Sequence, residues 1–231
     1  MVGLLIPQNG IIRAVLSEEL ETWMEMRGWE LPADALERLE TLLGLWLRYG
    51  AVMNLSGART RAELLPHVRD GLDTAWVVRE AVADVQAVRW VDFGSGGGFP
   101  GLVVGAVLDC ELRLLEPRQK RASFLELASN AIGRKSIGVI RSRFERETWA
   151  ENPANEFIRA EGGVIVVLSA RAVWAPSEWL GVAEHVGNGR AHVVLHLSAQ
   201  ETAQNYGCSL LVESERGSVG VISPMVGAET R

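Results

Sequence analysis

A glycine-rich turn between two apolar runs constrains the fold of this chain more than any other feature. The apolar run that ends at Val91 indicates a buried strand, Asp92 to Gly98 forms the turn, and the apolar run from Leu102 to Leu108 indicates a helix. A strand, a glycine turn and a helix in this order form the ligand-binding unit of an open α/β sheet. Glycine suits that turn because it tolerates positive φ and leaves no Cβ between the backbone and a ligand.

Three polar side chains in and after the turn strengthen the prediction of a ligand site. Asp92, at the end of the strand, can order the turn or reach a ligand, and Ser95 adds a hydroxyl donor. Glu116 closes the next apolar run about twenty residues after the glycines, where a carboxylate can accept both hydroxyls of a ribose. A turn that only connects the strand to the helix remains the alternative.

Composition places the chain among soluble globular proteins. Its 231 residues, 48% of them hydrophobic and 23% charged, suffice for one α/β domain with an extension, or at most two small domains. Cys110 and Cys208 lie far apart and support neither a disulfide framework nor a zinc site. The apolar N-terminal stretch is too short to span a membrane. We therefore expect a cytoplasmic protein with no membrane partner.

The charge is unevenly distributed along the chain. The formal net charge is -6, yet the span from Arg113 to Arg146 holds nine basic residues against three acidic ones. One positive region on an acidic body can hold a phosphate backbone locally, with an affinity that falls as salt rises. On charge alone, a solvated surface with scattered arginines is the favoured interpretation.

The first third of the chain is predicted to be helical. Ala14 to Arg27 has the composition of a short helix, and apolar residues recur at three- and four-residue spacing from Leu36 to Leu47. Gly50 is predicted to end that second helix, and a third runs from Glu63 to about Val82. We expect residues 1–84 to form an N-terminal helical extension, in which the region up to Gly50 shows no chemistry of its own. On its third helix His67 and Asp70 would share a face, where a surface hydrogen bond between them is the default expectation.

Strands and helices alternate in the rest of the chain, residues 85–231. The predicted strands are Ala87–Asp92, Glu111–Glu116, Ile137–Ile140, Gly163–Leu168, Ala191–Leu197 and two late segments near Leu210 and Val219. Helices are predicted at Leu102–Leu108, Gln119–Ala131 and Ser177–Val186. This alternation predicts an α/β fold with a mostly parallel sheet covered on both faces and an antiparallel pair at its edge.

Several motifs occur in a fixed order between about Leu36 and Leu197. They are Asn54-Leu55-Ser56, His67 with Asp70, the run from Asp92 to Gly101, Glu116 with Lys120-Arg121 and Phe124-Leu125, Arg143-Phe144-Glu145, and Ser169-Ala170-Arg171-Ala172. In these motifs the chain resembles the class I S-adenosylmethionine (SAM)-dependent methyltransferases, which have a Rossmann-like fold. More narrowly it resembles the bacterial RsmG/GidB family, which methylates N7 of a guanine in 16S small-subunit ribosomal RNA.

The resemblance implies that the chain is an enzyme that uses SAM. The implied cofactor-binding residues are Gly94, Ser95, Gly96, Phe99, Glu116, Phe144, Glu145 and Arg171. Among them Glu116 would hold the ribose, Phe144 and Glu145 would flank the adenine, and Arg171 would lie near the reactive end. The implied partner is small-subunit ribosomal RNA or the small ribosomal subunit, bound by a monomer.

Charge and position suggest which residues would contact that RNA. Lys120, Arg121, Arg141 and Arg143 are candidates for phosphate contacts, and His67 and His196 are further candidates. His196 stands where the family usually has a lysine. These assignments are hypotheses from charge and position.

The chain departs from the family pattern at four places. The residues just before Asn54, Gly71 after the aspartate, the start of the fourth strand at Gly163, and His196-Leu197 all differ from the usual residues. These positions lie nearer the expected RNA than the cofactor. Two alternatives therefore stay open: a SAM-dependent methyltransferase of another RNA or of a small molecule, and a non-catalytic binding module. A nicotinamide-binding Rossmann domain is a more distant one.

Overall fold

The structure, a computed structural model, describes residues 9–159, 164–198, 201 and 206–224 of the chain. Seven strands lie among them: β1 (Val88–Phe93), β2 (Glu111–Leu115), β3 (Ile137–Ile140), β4 (Ile165–Ala170), β5 (His192–Leu197), β6 (Leu210–Ser214) and β7 (Gly217–Ile222). They form one sheet in the order β3-β2-β1-β4-β5-β7-β6. Strands β1 to β5 pair in parallel, and β7 pairs antiparallel with β5 and β6. The predicted sheet, with an antiparallel pair at its edge, is confirmed.

The helices of the described residues cover both faces of this sheet. They are α1 (Asn9–Arg27), α2 (Ala33–Met53), α3 (Arg61–Ala81), α4 (Gly101–Val107), α5 (Gln119–Ala131), α6 (Pro153–Arg159) and α7 (Pro176–Gly187). Helix α6 was not predicted because seven residues are too few to show helical periodicity. Within the described part of the chain, no helix combines the length and apolarity needed to cross a membrane.

The sheet separates two hydrophobic cores, and the alternation of β1 shows how. Trp90 points into the core that α1 to α5 cover, whereas Val91 and Phe93 point into the core that contains α6 and α7. The three N-terminal helices share the first core with α4 and α5 through buried residues such as Leu43 and Leu72. The predicted boundary between residues 1–84 and 85–231 stays a prediction.

The predicted end of α2 at Gly50 is wrong. The helix continues to Met53, and the chain leaves it at Asn54, whose φ of 49° and ψ of 51° lie in the left-handed region. The Asn54 N–H donates to the carbonyl oxygen of Gly50. Asparagine tolerates this conformation better than most residues, so the helix needs no glycine at its end. Gly50 instead lies buried, where an added Cβ would be 3.8 Å from the Ala58 carbonyl oxygen.

The boundaries of β4 and α3 also differ from the prediction. Strand β4 extends to Ala170, beyond the predicted end at Leu168, while the predicted start at Gly163 lies outside the described residues. Arg171 is therefore the first residue after the strand. Helix α3 begins before Glu63, because the Thr60 side chain accepts from the Glu63 N–H and the Glu63 side chain accepts in return from the Thr60 N–H.

Candidate cofactor and substrate site

The glycine turn lies between β1 and α4, at the carboxyl ends of the parallel strands. Gly94, Gly96 and Gly98 have φ values of 66°, 56° and 92°, which L-residues rarely adopt. An added Cβ at Gly94 would lie 2.6 Å from Cγ2 of Val173. The turn therefore requires glycine both for its backbone conformation and for its close approach to the segment after β4.

Asp92 and Ser95 hold the turn against the neighbouring strand. The Ser169 hydroxyl donates to Asp92 Oδ1 at 2.7 Å and accepts from Trp90 Nε1 at 2.8 Å. The Ser95 hydroxyl donates to the Asp92 carbonyl oxygen at 2.9 Å. Burial raises the pKa of Asp92 to about 6, against the opposing effect of the Ser169 hydrogen bond. Ser95, a predicted cofactor contact, thus uses its hydroxyl inside the turn.

Glu116 joins the turn to the end of β2. Its buried carboxylate accepts from the Gly96 N–H at 3.0 Å through Oε2 and from the Arg118 N–H at 2.8 Å through Oε1. The N–H of Ser95 donates to the Leu115 carbonyl oxygen at 3.0 Å. The parallel register sets Phe93 beside Leu115, so the turn and the carboxylate leave the sheet at the same edge. The turn and Glu116 are therefore neighbours in the structure, and their roles at a cofactor stay a prediction.

A cavity of about 390 Å³ opens beside the turn and Glu116. Its walls come from the segments that follow β1, β2, β3 and β4: Phe93, Gly94, Leu115, Glu116, Pro117, Arg118, Arg121, Ser142, Arg143, Phe144, Ala172, Val173 and Trp174. A volume of this size is typical of sites for small organic ligands. The buried carboxylate, the glycine backbone and the aromatic rings fit a nucleoside cofactor such as SAM.

The structure places only some of the predicted cofactor residues at the cavity. Gly94, Glu116 and Phe144 line the cavity, and Gly96 reaches it through its bond to Glu116. Phe99 and Glu145 do not line it. The Phe99 ring stacks on Trp46 with 4.2 Å between ring centroids and packs 5.1 Å from the ring of His67, and Glu145 is exposed.

Trp174 is a wall of the cavity that the sequence analysis missed. Its ring meets Phe144 edge-on, with centroids 6.0 Å apart, and stacks on Trp179 at 5.7 Å. Phe93 packs against both Phe144 and Trp174. The only sequence signal was an aromatic residue three positions after Arg171, just past a strand end, which is weak without the fold.

Arg171 lies beside the cavity in a buried ion pair. Its Nη2 is 2.8 Å from Oδ2 of Asp70, whose other carboxylate oxygen accepts from the Ser214 hydroxyl at 3.0 Å. His196 Nδ1 is 3.8 Å from Asp70 Oδ2. Burial lowers the pKa of Arg171, and the Asp70 charge opposes that effect. We refer to Asp70, Arg171, His196 and Ser214, together with His67 and Arg216, as the polar cluster.

His67 does not pair with Asp70 as the default expectation had it. The Nη1 of Arg216 lies 3.0 Å from His67 Nε2, and Asp70 binds Arg171 and Ser214 instead. The reason is that Asp70 turns into the protein, where its exposed fraction is 4%. A pair of residues three apart on a helix shares a face only approximately, and here the buried arginine takes the carboxylate.

Both histidines of the polar cluster are uncharged at neutral pH. Burial lowers the pKa of His196 to about 4, and nearby Arg171 lowers it further against the effect of Asp70. Burial likewise lowers the pKa of His67 to about 4, together with the charges of Arg216 and Arg171. Neither imidazole therefore supplies a positive charge for a phosphate at neutral pH, and their role as RNA contacts stays a prediction.

The basic span from Arg113 to Arg146 divides into structural and exposed residues. Arg113 packs over the Phe157 ring at 4.2 Å, and Arg134 donates to the carbonyl oxygens of Gly105 and Leu108. The predicted RNA contacts Lys120, Arg141 and Arg143 are exposed. Arg121 is partly buried and donates to the Asn54 carbonyl oxygen at 2.9 Å. Of these four candidates, Arg121 and Arg143 line the cavity.

Comparison with known proteins identifies the family. The family model described as rRNA small subunit methyltransferase G matches residues 35–206. Ribosomal RNA small subunit methyltransferase G of Halorhodospira halophila is 34% identical over 156 residues, which span 67% of this chain and 65% of that relative. The protein of the same name from Chelativorans sp. is 29% identical over 202 residues, 82% of this chain and 87% of that relative.

One of the solved structures that match the chain resembles it only remotely. A mutant of MtNAS in complex with S-adenosylmethionine matches 91% of this chain and 83% of that one, with 13% identity and a TM-score of 0.45. The family match, in contrast, covers most of the chain and includes both the glycine turn and Arg171. The family predicted from the motifs is confirmed: this chain belongs to the rRNA small subunit methyltransferase G (GidB) family.

Proposed function

We propose that this protein transfers the methyl group of SAM to N7 of a guanine in 16S small-subunit ribosomal RNA. The observation that carries the proposal is the buried Glu116 carboxylate, held by the Gly96 and Arg118 N–H groups at the wall of a 390 Å³ cavity. A carboxylate at this edge of the sheet suits a ribose, and the family match supports the target.

The chemistry asks for alignment and needs no proton transfer by a side chain. The lone pair of guanine N7 forms a bond to the methyl carbon of SAM, the carbon–sulfur bond breaks, and its electron pair stays on sulfur, so the positive charge passes to the base. N7 loses no proton, so no general base is required. The residues of this chain therefore have to orient the two reactants and exclude water.

The cavity supplies groups for each part of the cofactor. Glu116 accepts the ribose hydroxyls, while Phe144 and Trp174 provide apolar walls for the adenine. Gly94 and Gly96 leave room for the methionine part because they carry no Cβ. Ser95 would support the site indirectly, through its hydrogen bond inside the turn. The roles of Phe99 and Glu145 at the cofactor rest on the family resemblance alone.

Four basic residues, two of which line the cavity, are proposed to position the RNA. Lys120, Arg141 and Arg143 are exposed, and Arg121 faces the cavity while it holds the Asn54 carbonyl oxygen. Such residues fix a phosphate backbone without reading sequence. We expect the protein to act as a monomer, in the cytoplasm, on small-subunit RNA or on the assembled small subunit.

A methyltransferase for a different RNA or a small molecule is the second candidate. It is favoured by His196, a largely buried and uncharged imidazole at the position where the family usually has a lysine. The net charge of -6 also favours this candidate, since the acidic surface outside the basic residues repels nucleic acid.

The deciding experiment is methyl transfer from labelled SAM to small ribosomal subunits isolated from a strain that lacks the family enzyme. Label at N7 of a single guanine, mapped by nucleotide, is the expected result. Binding of SAM in calorimetry without label in the RNA would favour the second candidate. Failure to bind SAM would contradict both candidates and leave the non-catalytic alternative.

A further inference from the structure

Helix α3 carries two buried carboxylates one turn apart, and they have different surroundings. Asp73 binds Arg27 Nε at 2.8 Å and Trp23 Nε1 at 2.9 Å, so both of its partners belong to α1. Asp70, in contrast, binds Arg171 of the segment after β4 and Ser214 at the end of β6, and the uncharged ring of His196 on β5 lies 3.8 Å away. Asp73 links two helices, whereas Asp70 links α3 to two distant parts of the chain, one of which continues into the cavity wall.

We propose that Asp70 is a positioning residue for methyl transfer, whose buried carboxylate fixes the Arg171 guanidinium beside the reacting groups. The inference rests on the proposed function and adds a residue to it. Arg171 is itself largely buried, with 15% of its side chain exposed, and a buried cation requires a close anionic partner. At 2.8 Å, Asp70 is that partner and so determines where the guanidinium lies.

The segment that follows Arg171 transmits this placement to the cavity wall. Ala172 has a φ of 55°, an unfavourable conformation for alanine that persists only when its surroundings fix it. Ala172 and Val173 both line the cavity, and Val173 closes over Gly94. A change in the Arg171 ion pair therefore shifts the wall against which the cofactor would lie.

The turn between β6 and β7 holds Asp70 and its helix from the other side. Ser214 donates to Asp70 Oδ1, Glu215 forms an ion pair with Arg69, and Arg216 donates to His67. Each residue from Ser214 to Arg216 thus contacts α3. The hydrogen bond from Ser214 occupies the carboxylate oxygen that Arg171 does not use, so both oxygens of Asp70 are constrained.

The charge of Asp70 also suits the proposed chemistry. The transfer moves a positive charge from sulfur to the guanine ring, and an uncompensated arginine beside that ring would oppose the product. Asp70 neutralises Arg171 yet engages only one side of its guanidinium. The remaining N–H groups stay available to an acceptor atom of the reactants.

The test compares Asp70→Asn with Asp73→Asn in the single-guanine methylation assay. Both variants remove one buried, arginine-paired charge from the same helix, so loss of stability affects both. Asparagine at position 70 keeps an acceptor for Ser214. We expect Asp70→Asn to lower kcat by about tenfold or more with the KM for SAM changed less than about threefold, and Asp73→Asn to stay within about twofold of the wild-type kcat.

A double variant shows whether Asp70 acts through Arg171. If it does, Asp70→Asn combined with Arg171→Gln is no slower than Arg171→Gln alone, whereas independent effects would multiply. Multiplying effects, a wild-type kcat in Asp70→Asn, or equal losses in the two aspartate variants would each overturn the inference. Wild-type protein assayed in parallel separates the two failures: if it transfers no methyl group, the proposed function fails first.

Discussion

The cavity and the polar cluster adjoin each other but are built by different means. The cavity depends on backbone conformation and on residues that directly follow strand ends, such as Gly94, Gly96 and Glu116. The polar cluster depends on side chains that meet only after folding. Ser214 and Arg216 lie 144 and 149 positions from their partners Asp70 and His67. A site made of backbone is visible in sequence, and one made of distant side chains is not.

The largest effect is expected from Glu116→Ala in the cavity. The substitution removes the acceptor proposed for the ribose and frees the Gly96 and Arg118 N–H groups that now bind the carboxylate. Because hydrogen bonds to a charged group are the strong ones, SAM affinity should fall about 100-fold, or about 2.8 kcal/mol. Calorimetric titration with SAM measures it.

The control for that change is Glu126→Ala, an exposed glutamate on α5 that belongs to neither region. Its affinity for SAM should match that of the wild type. If Glu116→Ala bound SAM as tightly as Glu126→Ala, Glu116 would not bind the ribose. The cavity could then no longer be distinguished from the polar cluster as the cofactor site.

The way each region is built explains how much of it the sequence could predict. The glycine turn and Glu116 could be predicted because both directly follow strands. Parallel strands end at the same edge of the sheet, and with 3.8 Å between successive Cα atoms the residue after β2 must lie at that edge. Phe99 was assigned to the cofactor by the family resemblance, whereas in the structure its ring stacks on Trp46 of α2. That contact depends on how α2 packs, which no local pattern specifies.

The end of α2 and the partner of His67 show the same limit. Gly50 carried the sequence signal for a helix end, but it lies buried inside the helix, and Asn54 takes the left-handed conformation at the actual end. His67 was expected beside Asp70 because helical spacing is local, whereas its observed partner lies on a distant hairpin. In both cases the packing of the folded chain overrode the preference that the local sequence indicates.

An intermediate effect is expected from Trp174→Ala, which tests the segment that links the two regions. Trp174 lines the cavity and meets Phe144 edge-on, and its segment begins at Arg171 of the polar cluster. Loss of one aromatic wall should weaken SAM binding about tenfold, or about 1.4 kcal/mol, while Trp174→Phe should retain most of the affinity. Equal affinities of both variants and the wild type in calorimetry would remove Trp174 from the cofactor site.

A further effect, on stability and not on SAM affinity, is expected from the pH dependence of His196→Gln, which tests the polar cluster alone. The pKa of His196 in the folded protein is about 4, below its ordinary value of 6.5. As pH falls below about 6.5 the unfolded chain binds a proton that the folded protein excludes, so wild-type stability declines toward pH 4. Glutamine has no such proton, and the variant should lack this part of the decline.

The comparison of wild type with variant isolates His196 from its neighbours. The pKa of Asp92 is raised to about 6, so its contribution runs in the opposite direction over part of the same range, but it is present in both proteins and cancels in the difference. Urea unfolding between pH 7 and pH 5 should show the stability of the wild type, relative to the variant, falling by at most about 1.4 kcal/mol per pH unit. A difference that stays constant over this range would mean that His196 takes up its proton in the folded state. Water would then reach His196 in the folded protein, and the polar cluster would be less rigid than the cavity.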